Sequence, residues 1–470
     1  MPAKGRHGRG QVLATLAGLR HRLMTDSALS DAISATADSC EKGSELEAQC
    51  REARRHVDRA SRVSEKLEKQ LAEATSAGLS AWQKARAESD FSLFSSELKQ
   101  IVELRREQAA AINPGASAYD VLMDEFEPGV TQTELEPVFS ELCAELSPLL
   151  TAVTDSGFQV DESPVKGDFK ESDQREFGLF VARHMGFDFE AGRLDLTTHP
   201  FCQSFNNQDV RITWRYMEDD LRSALYGIMH EAGHGLYEQG LPDKWEGTPI
   251  GGAVSLGVHE SQSRLWENLV GRSESFWEWA LPHARKYLPG LSDCSVGEIW
   301  SALHTAKPSF VRVEADEATY NLHIAIRFDV ERRLFAGELE ADELPAAWDD
   351  AYEKYLGIRP ANASDGVLQD IHWAMGAFGY FPTYSLGNMI SCQLFSAAGR
   401  ELGDLDAQFR VGDFAPLLEW LRTNVHAHAS RYNAKELVER ATGAALGSAD
   451  FLSYIKGVTA KAYRLDNIPA

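Results

Sequence analysis

What the 470-residue chain has little of narrows it first. No apolar run approaches the roughly 18 residues of a membrane span. Cysteine is sparse: Cys40, Cys50, Cys143, Cys202, Cys294 and Cys392 form no C-x-x-C pair, and they read as reduced, mostly packed thiols of an intracellular protein. Positive charge is in deficit, with 47 Lys and Arg against 71 Asp and Glu and a formal net charge of -24. That balance argues against nucleic acid as a partner and favours solubility. Internal repeats and low-complexity linkers are also missing, so one helical domain over residues 1–470 is more economical than several in series. Acid is absent from the first residues up to Asp26, while Lys4, Arg6, Arg9, Arg20 and Arg22 are present. A transit peptide has this composition, but Val12, Leu13, Leu16, Leu19 and Leu23 equally suit an amphipathic helix. A plain helix in a cytoplasmic protein is the expectation.

What is present is mainly helical pattern. Residues 11 to about 112 read as helices, with Glu45–Ala74 as one charged run carrying Leu46, Val57, Val63, Leu67 and Leu71 on a loose stripe. Asn113-Pro114-Gly115 makes a turn, and more helices are expected over 118–190. From His199 the pattern changes. Val210, Ile212, Trp214 and Tyr216 alternate with Arg211, Thr213 and Arg215, the period of a strand whose edge can pair with an extended peptide.

Just downstream lies Tyr226-Gly227-Ile228-Met229-His230-Glu231-Ala232-Gly233-His234-Gly235. Asp219 and Asp220 are candidate N-caps, Leu221, Leu225 and Ile228 recur at helical spacing, and Gly240 before Pro242 is a stop signal. On that helix His230 and His234 lie one turn apart, so two imidazoles can share one metal ion. Glu231 flanks them as a candidate base for a metal-activated water attacking a peptide carbonyl. A third protein ligand must leave one position open. H-E-x-x-H-x-x-G-x-x-H fails, because Tyr237 and Gly240 hold its last two fixed positions. Glu246, His259, Glu260 and Glu267 all remain candidates, and periodicity over the helix expected at 254–271 does not choose among them.

With these residues in view, the segment His259-Glu260-Ser261-Gln262-Ser263-Arg264, following His230-Glu231-Ala232-Gly233-His234, resembles the carboxypeptidase Taq family of zinc metallocarboxypeptidases. Five further stretches agree with that family's motifs: His199-Pro200-Phe201, Asp209-Val210-Arg211-Ile212-Thr213, Val311-Arg312-Val313-Glu314-Ala315-Asp316, Gly366-Val367-Leu368-Gln369-Asp370-Ile371-His372-Trp373 and Gly379-Tyr380-Phe381-Pro382-Thr383-Tyr384. They run in the family's order between about 118 and 470, and Trp82-Gln83-Lys84-Ala85-Arg86 with Asp90-Phe91 is similar more weakly. The resemblance implies a mainly α, neurolysin-like zincin with a deep substrate groove and the metal at its floor, and the strand pattern adds a small β element beside the metal helix. Residues up to about 112 would form an N-terminal helical cover, and about 118–470 the groove and catalytic region. It implies Zn2+, with Co2+ or Mn2+ as substitutes, Glu260 as third ligand, and Glu231 as base. It also implies removal of single residues from peptides with a free C-terminus, and a homodimer. Family members carry an aromatic-Asp-Gln segment before a Met-Pro, whereas this chain begins at Met1-Pro2. Either the start lies upstream or this member lacks the segment.

Within the family's motifs, further roles can be weighed. A substrate carboxylate is best gripped by the planar fork of an Arg. Arg312 is the first candidate and Arg211 the second, against ion pairs with Asp316 and Asp209. His372 and Tyr384 are candidate donors to the tetrahedral oxyanion, with Tyr380 as the alternative. Asp209 and Asp370 would steady the metal histidines or the motifs. The competing classes are an endopeptidase or oligopeptidase on the same type of fold and a non-catalytic helical zinc-binding protein.

Overall fold

The computed structural model describes residues 6–465; Met1-Pro2 and Lys4 lie outside them. The chain is mainly helical with one three-stranded sheet and divides into two compact units. One comprises Met1–Pro137, Ser309–Ala315 and His323–Pro382, the other Val138–Pro308, Asp316–Leu322 and Thr383–Ala470.

In the first unit the charged run Glu45–Ala74 is divided between two helices, Glu45–Arg62 and Glu65–Glu88. Ser64 divides them because its hydroxyl accepts from Leu67 N and caps the second helix, an alternative that Ser offers the backbone more readily than helix continuation. Val57, Val63, Leu67 and Leu71 are buried, while Leu46 is exposed. Glu65–Glu88 turns back through Ser89, in the left-handed conformation, and packs along Ser92–Ile112 as a helical hairpin. The helix expected near the start is present as Arg6–Met24, but Val12, Leu16, Leu19 and Leu23 on it are exposed. Between the helices Leu344–Leu356 and Pro382–Leu402, segment 357–381 contains only the single 3-10 turn His372–Met375.

The second unit holds the sheet: β1 (Gly192–Leu196), β2 (Cys202–Asn206) and β3 (Asp209–Trp214) in the order β1-β3-β2, with β1 parallel and β2 antiparallel to β3. β3 is the strand expected from the alternation, ending at Trp214. Its place is central, so both of its edges are taken and it has none to offer a peptide; outer edges belong to β1 and β2. These two escaped notice because they are short and mostly polar, Gly-Arg-Leu-Asp-Leu and Cys-Gln-Ser-Phe-Asn.

Val210, Ile212 and Trp214 of β3 are buried, and the sheet packs against the helix Leu221–Gln239. That helix starts where expected, with Asp220 accepting from Arg222 N, and ends at Gly240. Ser255 caps the helix Leu256–Arg264, which runs on into a π turn, Leu265–Val270. No helix among the described residues is long and apolar enough to cross a membrane.

Candidate active site

The helices Leu221–Gln239 and Leu256–Arg264 approach closely where one of them has no side chain. A methyl at Gly233 would sit 2.7 Å from both Gln262 O and Ser263 Cα. The approach sets His230 and His234 beside Glu260, and one ligand atom from each lies within 4.8 Å of the others. Glu260 Oε2 is 3.6 Å from His230 Nε2 and 3.4 Å from His234 Nε2. Of the four candidates for third partner, Glu260 is the one brought to these two nitrogens.

Two of the remaining candidates stand behind the histidines instead. Glu267, carried by the π turn, has Oε2 2.7 Å from His230 Nδ1. His259 Nδ1 lies 2.5 Å from His234 Nδ1, and its Nε2 lies 2.7 Å from Glu238 Oε1. Ser204 Oγ of β2 donates to Glu238 Oε2 at 2.6 Å. Both histidines are thus tied through Nδ1, leaving Nε2 turned toward Glu260. Glu246 is engaged elsewhere, accepting from Asn206 Nδ2. The supporting oxygen expected of Asp209 or Asp370 comes from Glu267; Asp209 pairs with Arg211, and Asp370 with Arg312 and Arg327.

Arg264 binds the two glutamates together, with Nε 2.7 Å from Glu260 Oε1 and Nη1 3.4 Å from Glu267 Oε2. Solvated surface is the usual fate of helical Glu and Arg, but Glu260, Arg264 and Glu267 recur here on one inward face, the last aided by the π turn. Such turns are rare and are frequently found at functional sites. Against burial, which favours neutral carboxyls, Arg264 and His230 hold Glu260 well below the usual carboxylate range. Burial likewise opposes charge on Glu267, yet Arg264 and His230 bring it to about 2. Burial would lower His230, but Glu260 and Glu267 raise it to about 9. Burial and the neighbouring His259 take His234 down to about 4. The pocket therefore favours positive charge beside two imidazoles. Glu231 is 5% exposed, and burial pushes its carboxyl up to about 7. No hydrogen bond among the described residues engages that carboxylate.

Tyr384 lies in the same unit, in the first turn of the helix Pro382–Leu402. One turn later a methyl at Gly387 would sit 2.5 Å from Glu260 Cγ, so this helix abuts the Glu260 side chain. The Tyr384 ring meets Tyr320 edge-on at 6.1 Å, and Arg264 lies 4.4 Å over Tyr320. Arg211 is on the exposed face of β3, with Nη2 2.9 Å from Asp209 Oδ2, and Phe205 lies under its guanidinium. Arg312, His372 and Tyr380 belong to the other unit. Arg312 is buried, and its partner is Asp370, at 2.9 Å, rather than Asp316. Asp316 instead accepts from the backbone of Lys307, Ala318 and Thr319 at the start of the helix Glu317–Ala336. The His372 ring meets those of Tyr380 and Phe381 at tilted angles, centroids 5.0 and 4.6 Å away, with Nδ1 3.8 Å from Asp370 Oδ1.

The backing residues Glu238, Ser204 and Arg264 went unnoticed in the sequence as site components. Their one signal is spacing: Glu238 lies one turn beyond His234, and Arg264 one turn beyond Glu260.

Residues 1–458 match the family described as Carboxypeptidase Taq (M32) metallopeptidase. The chain is similar to thermostable carboxypeptidase 1 of Thermus thermophilus, 43% identical over 475 aligned positions that cover 98% of this chain and 93% of that protein. Carboxypeptidase 1 of Bacillus subtilis is 40% identical over 389 positions, 82% of this chain and 77% of that one. The fold is similar to the crystal structure of the M32 carboxypeptidase from Deinococcus radiodurans R1, with a TM-score of 0.94, 39% identity, and coverage of 99% and 94%. Sequence, fold and a cluster able to take a divalent ion agree, and the chain belongs to the carboxypeptidase Taq (M32) metallopeptidases: it is a metallocarboxypeptidase, a hydrolase of peptides.

Proposed function

We propose that this enzyme is a zinc-dependent exopeptidase that removes single residues from free peptide C-termini, with His230, His234 and Glu260 as the metal ligands. The observation that carries the reading is the convergence of those three side chains beside Glu231. The donors fit the ion: two Nε2 atoms and one carboxylate oxygen suit zinc with one position left open, and both histidines are oriented by a bond at Nδ1. Co2+ and Mn2+ suit the same set. When bound, the ion supplies Lewis acidity to the scissile carbonyl and makes water a better nucleophile.

The residues do the rest. Glu231 takes a proton from the attacking water and gives it to the amine as the C–N bond breaks. Its carboxylate is bare of donors and has a pKa near neutrality, so it can both accept and release that proton. Tyr384, next to the helix contact on Glu260, and His372 donate to the oxyanion, and Tyr380 is the alternative donor. Arg312 takes the substrate's terminal carboxylate. Arg312 and Arg327 both pair with Asp370 in that buried cluster, and the planar fork of Arg312 suits a carboxylate. Arg211, exposed and paired with Asp209, is the second choice. A cytoplasmic homodimer completes the reading, supported by the family resemblance.

The test is mass spectrometry of one mixed peptide, free or amidated at its C-terminus, incubated with and without a chelator. A ladder of single-residue losses from the free peptide, abolished by amidation or chelation, is the expected result. Internal cuts in both peptides would replace it with an endopeptidase, and bound metal with no cleavage at all with a binding protein.

A further inference from the structure

Long segments without regular structure are uncommon inside compact domains, and where they are ordered they usually serve function. Segment 357–381 is one, and it carries Asp370, His372 and Tyr380. An irregular backbone cannot satisfy its own polar groups as a helix does, so something else must hold it.

The holder is one face of the helix Glu317–Ala336. His323, Arg327 and Glu331 follow one another at single-turn spacing, and all three are fully buried, at 0% exposure. Three successive buried polar residues on one helix face are costly unless paired, and each is paired. Arg327 Nε donates to Asp370 Oδ2 at 2.7 Å, and its Nη2 donates to Gln369 Oε1 at 2.8 Å. Trp348 and Phe381 lie against its guanidinium, 4.6 and 5.3 Å from the ring centroids. Asp370, held in this way, takes the Nε and Nη2 of Arg312 on its other oxygen.

Glu331 collects three donors: Trp373 Nε1 at 2.7 Å, Gly379 N at 2.9 Å and Tyr119 Oη at 3.1 Å. Trp373 follows His372 directly, and Gly379 precedes Tyr380. One carboxylate therefore pins both ends of the stretch 373–379, which links His372 to Tyr380 and Phe381, the rings His372 meets. His323 ties in through Tyr352 Oη, 3.0 Å from its Nδ1, which also receives Gln369 Nε2.

We propose that Arg327 and Glu331 are positioning residues for peptide hydrolysis, fixing segment 357–381 so that Arg312 and His372 are presented to the substrate. The proposal rests on the reading above, in which those two groups act on the peptide. Arg327 works through Asp370 on Arg312, and Glu331 works through Trp373 and Gly379 on His372. The two effects are therefore separable in kinetics.

The experiment uses the full-length, zinc-loaded protein, with zinc affinity measured against a chromophoric chelator and rates referred to the zinc-loaded fraction. Glu331→Gln keeps the shape but turns an amide N–H2 toward groups that donate. Its kcat should fall about tenfold to a hundredfold, with KM and zinc affinity nearly unchanged. Arg327→Met should act mainly on KM for peptides with a free C-terminus. Trp373→Phe removes one donor from the segment's side, and combining it with Glu331→Gln should cost less than the product of the two single losses.

Wild-type kcat in Glu331→Gln, or strictly multiplicative losses in the double variant, would overturn the proposal. So would identical kcat and KM changes in Glu331→Gln and Arg327→Met, the mark of general loosening. If Glu331→Gln does not fold, Trp373→Phe decides alone: reduced kcat with intact zinc affinity supports the proposal, and wild-type kcat overturns it. A wild-type protein that holds zinc but cleaves no peptide would bring down the underlying reading as well, and that control tells the two failures apart.

Discussion

Glu231 and Glu331 make an instructive pair. Each is a buried glutamate on a long helix, and burial pushes each carboxyl up to about 7. Their surroundings differ. Glu331 is met by three hydrogen-bond donors from three separate residues. Glu231 is met by none among the described residues and lies beside two imidazoles and Glu260. A carboxylate saturated with fixed donors holds structure in place, whereas one without them is free to exchange a proton with a visiting molecule. The shift toward neutrality is common to both and so does not distinguish the proposed base from the proposed clamp; the donor count does.

The comparison can be broken most decisively at Glu231. Glu231→Gln should keep metal binding and lower turnover by about 10²- to 10⁴-fold. Retained turnover, measured on the same peptide at saturating substrate, would leave Glu231 as inert as any core residue. The next effect concerns the metal itself. Glu267→Gln removes the anionic acceptor behind His230, and His259→Phe removes the acceptor behind His234. Each should weaken metal binding by about 10- to 100-fold in chelator competition, with Glu267→Gln the more severe because the acceptor it removes is charged. Equal affinities in all three proteins would show that neither bond at Nδ1 matters.

Glu331 offers a sharper contrast through pH. Its folded pKa, about 7, lies above the ordinary 4.5, so between those values the folded chain holds a proton that the unfolded chain has released. Stability from this group is thus full below the ordinary value and is lost as pH rises to about 7, at up to about 1.4 kcal/mol per pH unit. Glu331→Gln should flatten the stability profile over that window in denaturant titrations. Parallel profiles for variant and wild type would mean the carboxyl is already ionised there. The smallest effect is expected at Arg211→Ala, which breaks an exposed ion pair with Asp209 and should leave stability in denaturant titrations nearly unchanged. A large rise in KM for free peptides would instead move the carboxylate-binding role from Arg312 to Arg211.

Much of the candidate metal site was legible because its spacing is local. His230, Glu231 and His234 share one helix whose cap and stop lie in the same stretch of sequence, and all of it forms as expected. Glu260 was reachable only by resemblance, since periodicity cannot report which face of the next helix a π turn and two glycine contacts will bring inward. The partner of Arg312 was not legible either. Asp316 is the nearest acid in the motif, but it is spent on backbone groups at a helix start, and Asp370 reaches Arg312 from a distant part of the chain. The sheet was seen in part. β3 has the alternation of a half-buried strand, but nothing in its own residues says that it is flanked on both sides. The break at Ser64 was missed for the opposite reason: a local hydroxyl cap overrode an apolar stripe that continues across it.

Gly233 and Gly387 have a consequence for how such a protein can vary. Each stands where a neighbouring helix passes so near that a single methyl would collide, in one case with the backbone of Gln262 and Ser263 and in the other with Glu260 itself. At Gly227, on the same helix as Gly233, nothing stands within 4 Å and a methyl would meet open space. At these two positions the first step of drift, from a hydrogen to a methyl, already displaces the carboxylate from the imidazoles. The lineage's freedom to explore new side chains therefore stops at an atomic dimension, the radius of one hydrogen on either side of Glu260.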